Sequence, residues 1–118
     1  MSITIIAPEQ ATPGQKVFVK AIVQNYSEVA GYFTATGKIA YGGVTYLITF
    51  LPTYEWLEPY IYTEFVAEFI MPNTPVQGFA WSWLWTTDWV EEQMKEFSVV
   101  LAQAAPAEFS SLTAAFNG

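Results

Sequence analysis

Hydrophobic and polar residues alternate along most of the chain, in short segments that end at proline, glycine or asparagine. Alternation with a period of two is typical of β-strands that bury one face. The sequence therefore predicts an all-β fold with about seven strands, over residues 2–7, 16–25, 31–41, 44–51, 60–70, 76–85 and 94–102. Gly42 and Gly43 separate two of these segments and predict a two-residue hairpin turn, since glycine tolerates the positive φ angles that such turns need.

Acidic residues identify the solvent-facing side of two segments. Glu64 and Glu68 alternate with large apolar residues in segment 60–70, so the predicted buried set there is Ile61, Phe65 and Phe69. Glu96 alternates in the same way in segment 94–102, where the predicted buried set is Phe97, Val99 and Leu101. Segment 16–25 has no acidic residue that would identify its solvent-facing side. One of its two faces carries Val17, Val19, Ala21 and Val23. These segments fit strands with one face toward a core.

Segment 76–85 contains three of the five tryptophans of the chain. One of its faces carries smaller residues: Val76, Gly78, Ala80, Ser82 and Leu84. The other face carries large rings: Phe79, Trp81, Trp83 and Trp85. We expect the smaller set to face the core, because four neighbouring rings would overfill a layer between two sheets only ~10 Å apart. The alternative assignment buries the rings and exposes the smaller residues.

The predicted row of rings is the first candidate for a functional surface. Residues at every second position of a strand lie ~7 Å apart, which approximates the step of a sugar chain. Tyr60 and Tyr62 are expected to continue the row on a neighbouring strand. Aromatic rows also occur at protein interfaces, and cross-strand aromatic pairs stabilise sheets by themselves. The sequence therefore leaves an interface, simple packing and a ligand platform open.

Residues 103–118, "QAAPAEFSSLTAAFNG", follow the last predicted strand and differ from it in character. Phe109, Leu112 and Phe116 recur at spacings of three and four, which predicts one apolar stripe of a short helix beginning near Pro106. Such a short helix is marginal alone and needs a surface to lie on. We therefore expect a domain over residues 1–102 and a tail that packs on its own sheet or on a neighbouring subunit. Disorder of the tail is the alternative.

Composition and charge exclude several classes of function. Charged residues make up 13% of the chain, about half of the ~25% that is typical of soluble domains. This deficit predicts exposed apolar surface and hence assembly with other chains. The net charge of −7 argues against nucleic acid and against anionic membranes as partners. The chain has no histidine and no cysteine, so mechanisms that depend on either residue are excluded.

The N-terminal residues, "MSITIIAPEQ", lack the basic region and long apolar stretch of a signal peptide. We therefore expect synthesis in the cytoplasm without a signal peptide. Asn25-Tyr26-Ser27 matches the acceptor pattern for N-glycosylation, and without a secretory route we interpret the match as chance.

Pairs of carboxylates are the remaining candidates for catalytic groups. Glu64 and Glu68 would be ~13 Å apart along a strand, which is too far for the carboxylate pair of a glycosidase. Glu55 and Glu58 flank Trp56 in a predicted loop. The group Asp88, Glu91 and Glu92 matches no calcium-loop spacing and is typical of a solvated turn. We therefore expect no enzymatic activity, no metal site and no cofactor.

Two parts of the sequence resemble a known family. "APEQATPGQKVFVKAIVQN" (7–25) resembles the opening of immunoglobulin-like β-sandwich domains of the adhesion type, with Pro13-Gly14 in the turn into the second strand. "EFIMPNTPVQGFAWSWLW" (68–85), followed by "DWVEEQMKEFSVVL" (88–101), is similar to short, stand-alone immunoglobulin-like proteins encoded by phages and archaeal viruses. The resemblance covers about residues 7–102. The loop "PTYEWLEPY" (52–60) and the tail depart from the pattern.

The resemblance implies a seven-stranded antiparallel immunoglobulin-like sandwich with a structural role. The expected function is that of a virion surface or capsid-decoration protein, or of a self-assembling extracellular subunit. Its partners would be other copies of itself or a viral shell or fibre protein, and its destination after assembly would be the virion surface or the extracellular space. A carbohydrate-binding module that uses the aromatic row, with a polysaccharide as its ligand, is the alternative.

Overall fold

The computed structural model describes residues 2–85 and 90–102, which form nine β-strands and no helix. The strands are β1 (Ser2–Ile6), β2 (Gln10–Ala11), β3 (Lys16–Gln24), β4 (Gly31–Tyr41), β5 (Val44–Thr49), β6 (Glu55–Leu57), β7 (Tyr62–Ile70), β8 (Val76–Trp85) and β9 (Val90–Leu101). The all-β class is confirmed, and each of the seven predicted segments contains a strand. The predicted tail helix and its anchors Phe109, Leu112 and Phe116 lie outside the described residues.

The strands form two sheets. The smaller sheet has the order β1-β3-β7 and is antiparallel. The larger sheet has six strands in the order β2-β9-β8-β4-β5, and β6 also pairs with β4. In the larger sheet β2 runs parallel to β9, so the prediction of a wholly antiparallel arrangement is wrong. The sequence did not show β2 and β6 because strands of two and three residues are too short for a readable alternation.

The inner faces of both sheets share one hydrophobic core, which gives a sandwich-like arrangement. β3 contributes the four small aliphatic residues that share a face in the sequence: Val17, Val19, Ala21 and Val23. The larger sheet contributes residues from its three central strands, including Phe33, Ala35, Val76, Ala80 and Val99. Both sheets therefore bury one alternating set, as strands around a common core must.

The chain also connects the two sheets directly after β5. Leu51 N–H donates to the carbonyl of Val66 (2.9 Å), and Val66 N–H donates back to the carbonyl of Leu51 (2.8 Å). The peptide bond between Leu51 and Pro52 is cis. Phe50, just before this bridge, is buried in the core. The end of β5 in the larger sheet is thereby bonded to the middle of β7 in the smaller one.

The predicted buried set of segment 60–70 is correct for two residues and wrong for one. Phe65 and Phe69 are buried, but Ile61 is 53% exposed. The reason is the backbone of Tyr60, whose φ of 67° interrupts the extended chain, so that β7 begins only at Tyr62. Ile61 therefore lies in the turn, where the alternation of the strand does not apply.

The other predicted faces and the hairpin turn are confirmed. Val99 is buried and both Phe97 and Leu101 pack against the core, so the predicted inward set of β9 is correct. Gly42 and Gly43 have φ angles of 59° and 78°, and they connect the paired residues Tyr41 and Val44. Positive φ at both central residues is the signature of a type I′ turn, which suits the twist of a hairpin.

Asn25, the first residue of the glycosylation pattern, is completely buried. Its Nδ2 donates to the carbonyls of Val29 (2.9 Å) and Leu57 (3.1 Å). Its Oδ1 accepts from the backbone N–H (2.9 Å) and the hydroxyl (2.8 Å) of Ser27. The amide therefore holds the loop after β3 against the end of β6, and it has no surface available to a modifying enzyme in the folded protein.

Candidate functional site

The outer side of the larger sheet carries a group of exposed and partly exposed rings, which we call the aromatic face. Its residues come from β4, β6, β8 and the residue before β6: Tyr32, Tyr54, Trp56, Phe79, Trp81 and Trp83. Tyr32, Tyr54 and Trp56 are each about half exposed, at 49%, 58% and 50%. Trp83 is 37% exposed, and Phe79 and Trp81 are partly covered.

The rings point outward because the other face of β8 is closely packed. Val76, Gly78, Ala80 and Ser82 are all buried, and Ser82 Oγ donates to the carbonyl of Thr34 (2.8 Å). The predicted assignment, with the smaller set inward, is confirmed for these residues. The side chains of Leu84 and Trp85 lie outside the described part of the structure.

Gly78 shows why this face of β8 contains such small residues. It pairs with Phe97 of β9, and a Cβ at position 78 would overlap the Phe97 ring. The Phe97 ring therefore occupies the space that a side chain at position 78 would need. This close packing of two neighbouring strands leaves the tryptophans only the outer side.

Small residues of β4 stand opposite the tryptophans and leave part of each ring exposed. Trp81 pairs with Thr36, and Trp83 pairs with Thr34. A threonine side chain is much smaller than an indole, so these two threonines cannot cover the rings across the strand pair.

Tyr32 joins β4 to the loop before β6 through two ring contacts. Its ring centroid lies 5.4 Å from that of Tyr54, with the planes at 89°, and 4.9 Å from that of Trp56, at 71°. Such edge-to-face pairs each contribute about 0.5–1.5 kcal/mol beyond area burial. Trp56 Nε1 also donates to Oε2 of Glu58 (2.8 Å). These contacts position three rings that the sequence analysis did not assign to the surface.

The prediction that Tyr60 and Tyr62 continue the row of rings on a neighbouring strand is wrong. Tyr62 opens β7, which pairs with β3 in the smaller sheet and not with β8. Tyr60 lies in the preceding turn. Both residues are exposed, but the chain crosses from one sheet to the other between β7 and β8. β7 and β8 therefore follow each other in the sequence but lie in different sheets.

The outer side of the smaller sheet differs in character from the aromatic face. Lys16 Nζ lies 3.6 Å from a carboxylate oxygen of Glu68, and Lys20 Nζ lies 3.8 Å from one of Glu64. All four side chains are about half exposed, and ion pairs of this kind contribute little to stability. Each carboxylate has a lysine as its near neighbour, and the two do not form a joint acidic site.

Charged residues are sparse on the aromatic side of the larger sheet. Among the described side chains of its strands, Lys38 and Glu96 are the charged ones on that side. Lys38 Nζ lies 5.6 Å from the centroid of a Trp81 ring, which is within range of a cation–π interaction. The side is therefore mainly apolar and aromatic, with Lys38 held over Trp81 and the Glu58 carboxylate bonded to Trp56.

An open groove of about 560 Å³ crosses this side of the sheet. It is lined by Lys38, Ile39, Ala40, Thr45, Phe79, Trp81 and Met94. Volumes of a few hundred Å³ are typical of small-molecule sites, although those are usually more enclosed. The lining could contact the apolar side of a flat ring, while Lys38 could donate to an oxygen of the same ligand.

The described residues contain no group of three or more histidine, cysteine or acidic side chains that could hold a metal ion. Asp88 and the side chains of Glu91 and Glu92 lie outside the described part, so their predicted solvated turn stays a prediction. Within residues 2–85 and 90–102 no helix is long and apolar enough to cross a membrane.

Tyr41 and Tyr46 stack at the turn end of the β4–β5 hairpin, with ring centroids 4.8 Å apart and planes at 20°. Partial burial raises the pKa of Tyr41 above its ordinary value, and a hydrogen bond to Tyr46 and the charge of that group raise it further. The pair is polar at its hydroxyls and apolar between its rings, so it extends the inner face of the hairpin beyond the core.

No protein-family model matches the chain, and a search of curated proteins finds no significant match.

Proposed function

We propose that this protein is a non-enzymatic structural subunit whose seven longer strands form an immunoglobulin-like sandwich as its frame. It works by burying the aromatic face against neighbouring copies or against a shell or fibre protein. The observation that carries the proposal is the set of six exposed or partly exposed rings on a side of the molecule with few charges. Tyr and Trp are enriched where proteins meet, and charged residues are depleted at the centres of such contacts.

The magnitude of the available burial fits association but not very tight binding. Large aromatic side chains bury about 150–250 Å² each. Covering the exposed half of four such rings would remove about 400 Å² from water, or about 10 kcal/mol at ~25 cal/mol per Å². Association itself costs about 4–15 kcal/mol in lost freedom. The aromatic face alone therefore gives weak contacts, and stable assembly needs further surface, such as the tail with Phe109, Leu112 and Phe116.

The virion is the setting that the sequence resemblance favours. The resemblance to short stand-alone immunoglobulin-like proteins of phages and archaeal viruses implies a structural role on a virion. A small domain with one apolar side suits that role, because repetition on a shell or fibre multiplies weak interactions. We therefore place the protein on a virion surface or in an extracellular assembly.

The test is the size of the full chain in solution, measured by light scattering across a concentration series. We expect association that weakens on Trp83→Thr, because this substitution removes an exposed ring and leaves a residue suited to a strand. Tyr62→Thr is the matched control, since Tyr62 is exposed on the other sheet. A full chain that stays monomeric at every concentration would contradict self-assembly and leave a shell or fibre protein as the partner under this proposal.

A comparison with a chain that ends at Ala102 then tests the tail. If the shorter chain is monomeric and the full chain is not, the tail is an assembly element. If both associate equally, the aromatic face is sufficient for assembly and the tail has another role.

A carbohydrate-binding module is the second candidate, favoured by the groove beside Trp81. Sugar rings present C–H groups that stack on aromatic planes, and Lys38 could donate to a sugar hydroxyl. Under this alternative, a soluble polysaccharide would quench tryptophan fluorescence in the full chain, and Trp83→Thr would weaken that effect. A monomeric chain whose fluorescence responds to a polysaccharide would favour this function over assembly.

A further inference from the structure

We propose that β5 is a docking edge at which a second copy of this chain adds its own β5, antiparallel and centred on Leu47. The inference rests on the proposed assembly function and names one contact within it. Such pairing would join two larger sheets into one sheet across a two-fold axis.

The side chains and backbone of β5 fit an edge that is open to another strand. Five of its six residues are exposed, and Leu47, at 78%, is the most exposed of the large hydrophobic residues described. Val44 and Tyr46 are exposed at 49% and 43%. β5 pairs with β4 on one side and has no strand partner on the other among the described residues. The strand "VTYLIT" contains no charge, proline or glycine, which is the composition of strands that pair readily.

The other sheet edges carry features that hinder strand addition. β7 carries Glu64 and Glu68, and its Val66 already bonds to Leu51. β9 contains three glutamates and a lysine, and its end pairs with β2. β1 and β6 also lie at sheet edges: β1 lies against β9 of the other sheet, and β6 has only three residues, one of them Glu55. Charges and local cover of this kind are the usual protection of edges. β5 carries no charge, and its contact with β7 lies next to the Leu51–Val66 bridge that follows it.

The hairpin turn determines which backbone groups of β5 are free. In a two-residue hairpin the residues that flank the turn, here Tyr41 and Val44, form a hydrogen-bonded pair. Alternation then directs the N–H and C=O groups of Val44, Tyr46 and Ile48 toward β4. The same groups of Thr45, Leu47 and Thr49 point away from β4 and are available to a new strand.

An antiparallel pair centred on Leu47 is self-complementary. Leu47 would face the Leu47 of the second copy, and Thr45 would face its Thr49. Leucine pairs and threonine pairs are favourable cross-strand neighbours. The nearest described charge in the same row is Lys38, which pairs with Leu47 on β4. The two copies of Lys38 would be three strand spacings apart, ~14 Å, beyond the ~8–10 Å screening length at physiological salt.

The joined sheet would place both aromatic faces on one side. A two-fold axis through an antiparallel strand pair runs perpendicular to the sheet, so it keeps outer faces together. Six residues from each copy form a contact smaller than the ~800 Å² per partner of a stable complex. The pair is therefore weak by itself, and it would double the aromatic surface available to further copies or to a shell.

Disulfide trapping tests the register directly, because the native chain has no cysteine. In the full chain carrying Leu47→Cys, the two cysteines would lie on directly opposed residues, with Cα atoms ~5.5 Å apart, which suits a disulfide. Thr45→Cys is the matched control, since its two copies would lie ~13 Å apart along the paired strands. We expect Leu47→Cys to form covalent dimers at least ~10-fold faster on mild oxidation, followed on non-reducing gels. Equal rates for the two variants would overturn the inference.

Light scattering on the full chain separates this inference from the proposed function. Leu47→Lys places two like charges at the centre of the pair and should reduce association. Phe18→Lys adds the same charge at an exposed position of the smaller sheet and should not. If the native chain associates and Leu47→Lys has no effect, the β5 contact is wrong while the assembly function stands. If the native chain never associates, the β5 contact and self-assembly both fail, and a shell or fibre protein remains as the partner under the proposed function.

Discussion

At position 78 a side chain larger than hydrogen has no room, because the ring of Phe97 lies over the backbone of the paired strand. Asn25 is equally constrained, since all of its amide hydrogen bonds are made inside the protein. Tyr60 adopts a left-handed φ of 67° in its turn, a conformation that glycine adopts more easily. Single positions thus determine where strands pack closely and where they begin.

We predict that Gly78→Ala destabilises the fold by about 1–3 kcal/mol, the usual cost of overpacking a core. The new methyl group and the Phe97 ring would compete for the same space. Urea unfolding, followed by tryptophan fluorescence, measures the change.

The control for Gly78→Ala is the same substitution in a Phe97→Leu background, where the flat ring is gone. We expect a smaller penalty there, because leucine can move away from the added methyl group. An equal penalty in both backgrounds would show that Phe97 is not the cause.

At the level of the strands, the alternation of polar and apolar residues predicted the longer strands and most of their buried faces. Strands of five or more residues repeat their pattern often enough to be found, and the buried face of β8 followed from the size of its residues. β2 and β6 are too short to show a period, and the turn at Tyr60 removed Ile61 from the core. Strand neighbours are set by long-range pairing, so Tyr62 could not be placed relative to Trp81 from local sequence.

The candidate surface was predictable only in part for the same reason. Trp81 and Trp83 form a visible row within one strand. Tyr32, Tyr54 and Trp56 join them because β4 pairs with both β6 and β8. No local sequence pattern predicts that pairing. Half of the aromatic face is therefore a product of tertiary structure.

The raised pKa of Tyr41 predicts alkaline sensitivity of the β4–β5 hairpin. A raised pKa in the folded state means that folding favours the protonated phenol. The stabilisation is fully present below the unfolded tyrosine value of about 10 and is lost as the pH rises through the folded value. We expect the native chain to lose more stability between about pH 9 and pH 11 than Tyr41→Phe does.

Urea unfolding at several alkaline pH values measures this difference. The other six tyrosines are common to both chains, and because Tyr46 bonds to Tyr41, the difference between the chains reports on this pair. Parallel pH profiles for the two chains would contradict the role of Tyr41.

The whole molecule has two unlike outer sides. One carries lysine–glutamate pairs and the other carries rings with few charges, while the chain as a whole has a net charge of −7. Copies that approach through their aromatic sides must overcome the mutual repulsion of two acidic bodies. Apolar attraction and net repulsion therefore act against each other in any assembly of this protein.

We predict that association of the full chain strengthens as sodium chloride rises from about 0.05 M to 0.5 M, because salt screens the repulsion between like-charged copies. Light scattering at fixed protein concentration measures the association. The control is a neutral solute added to the same osmolality. Association that weakens with salt would indicate a contact built from opposite charges instead.

The buried amide of Asn25 has a consequence for how this protein can be produced. Oligosaccharyl transfer in a eukaryotic secretory pathway acts on the nascent chain before folding hides the acceptor. A glycan added there would replace the hydrogen bonds to Val29 and Leu57 and could not fit inside the sandwich. Yeast or mammalian secretion would thus yield misfolded, retained material, whereas bacterial cytosolic expression leaves this residue free to fold into place.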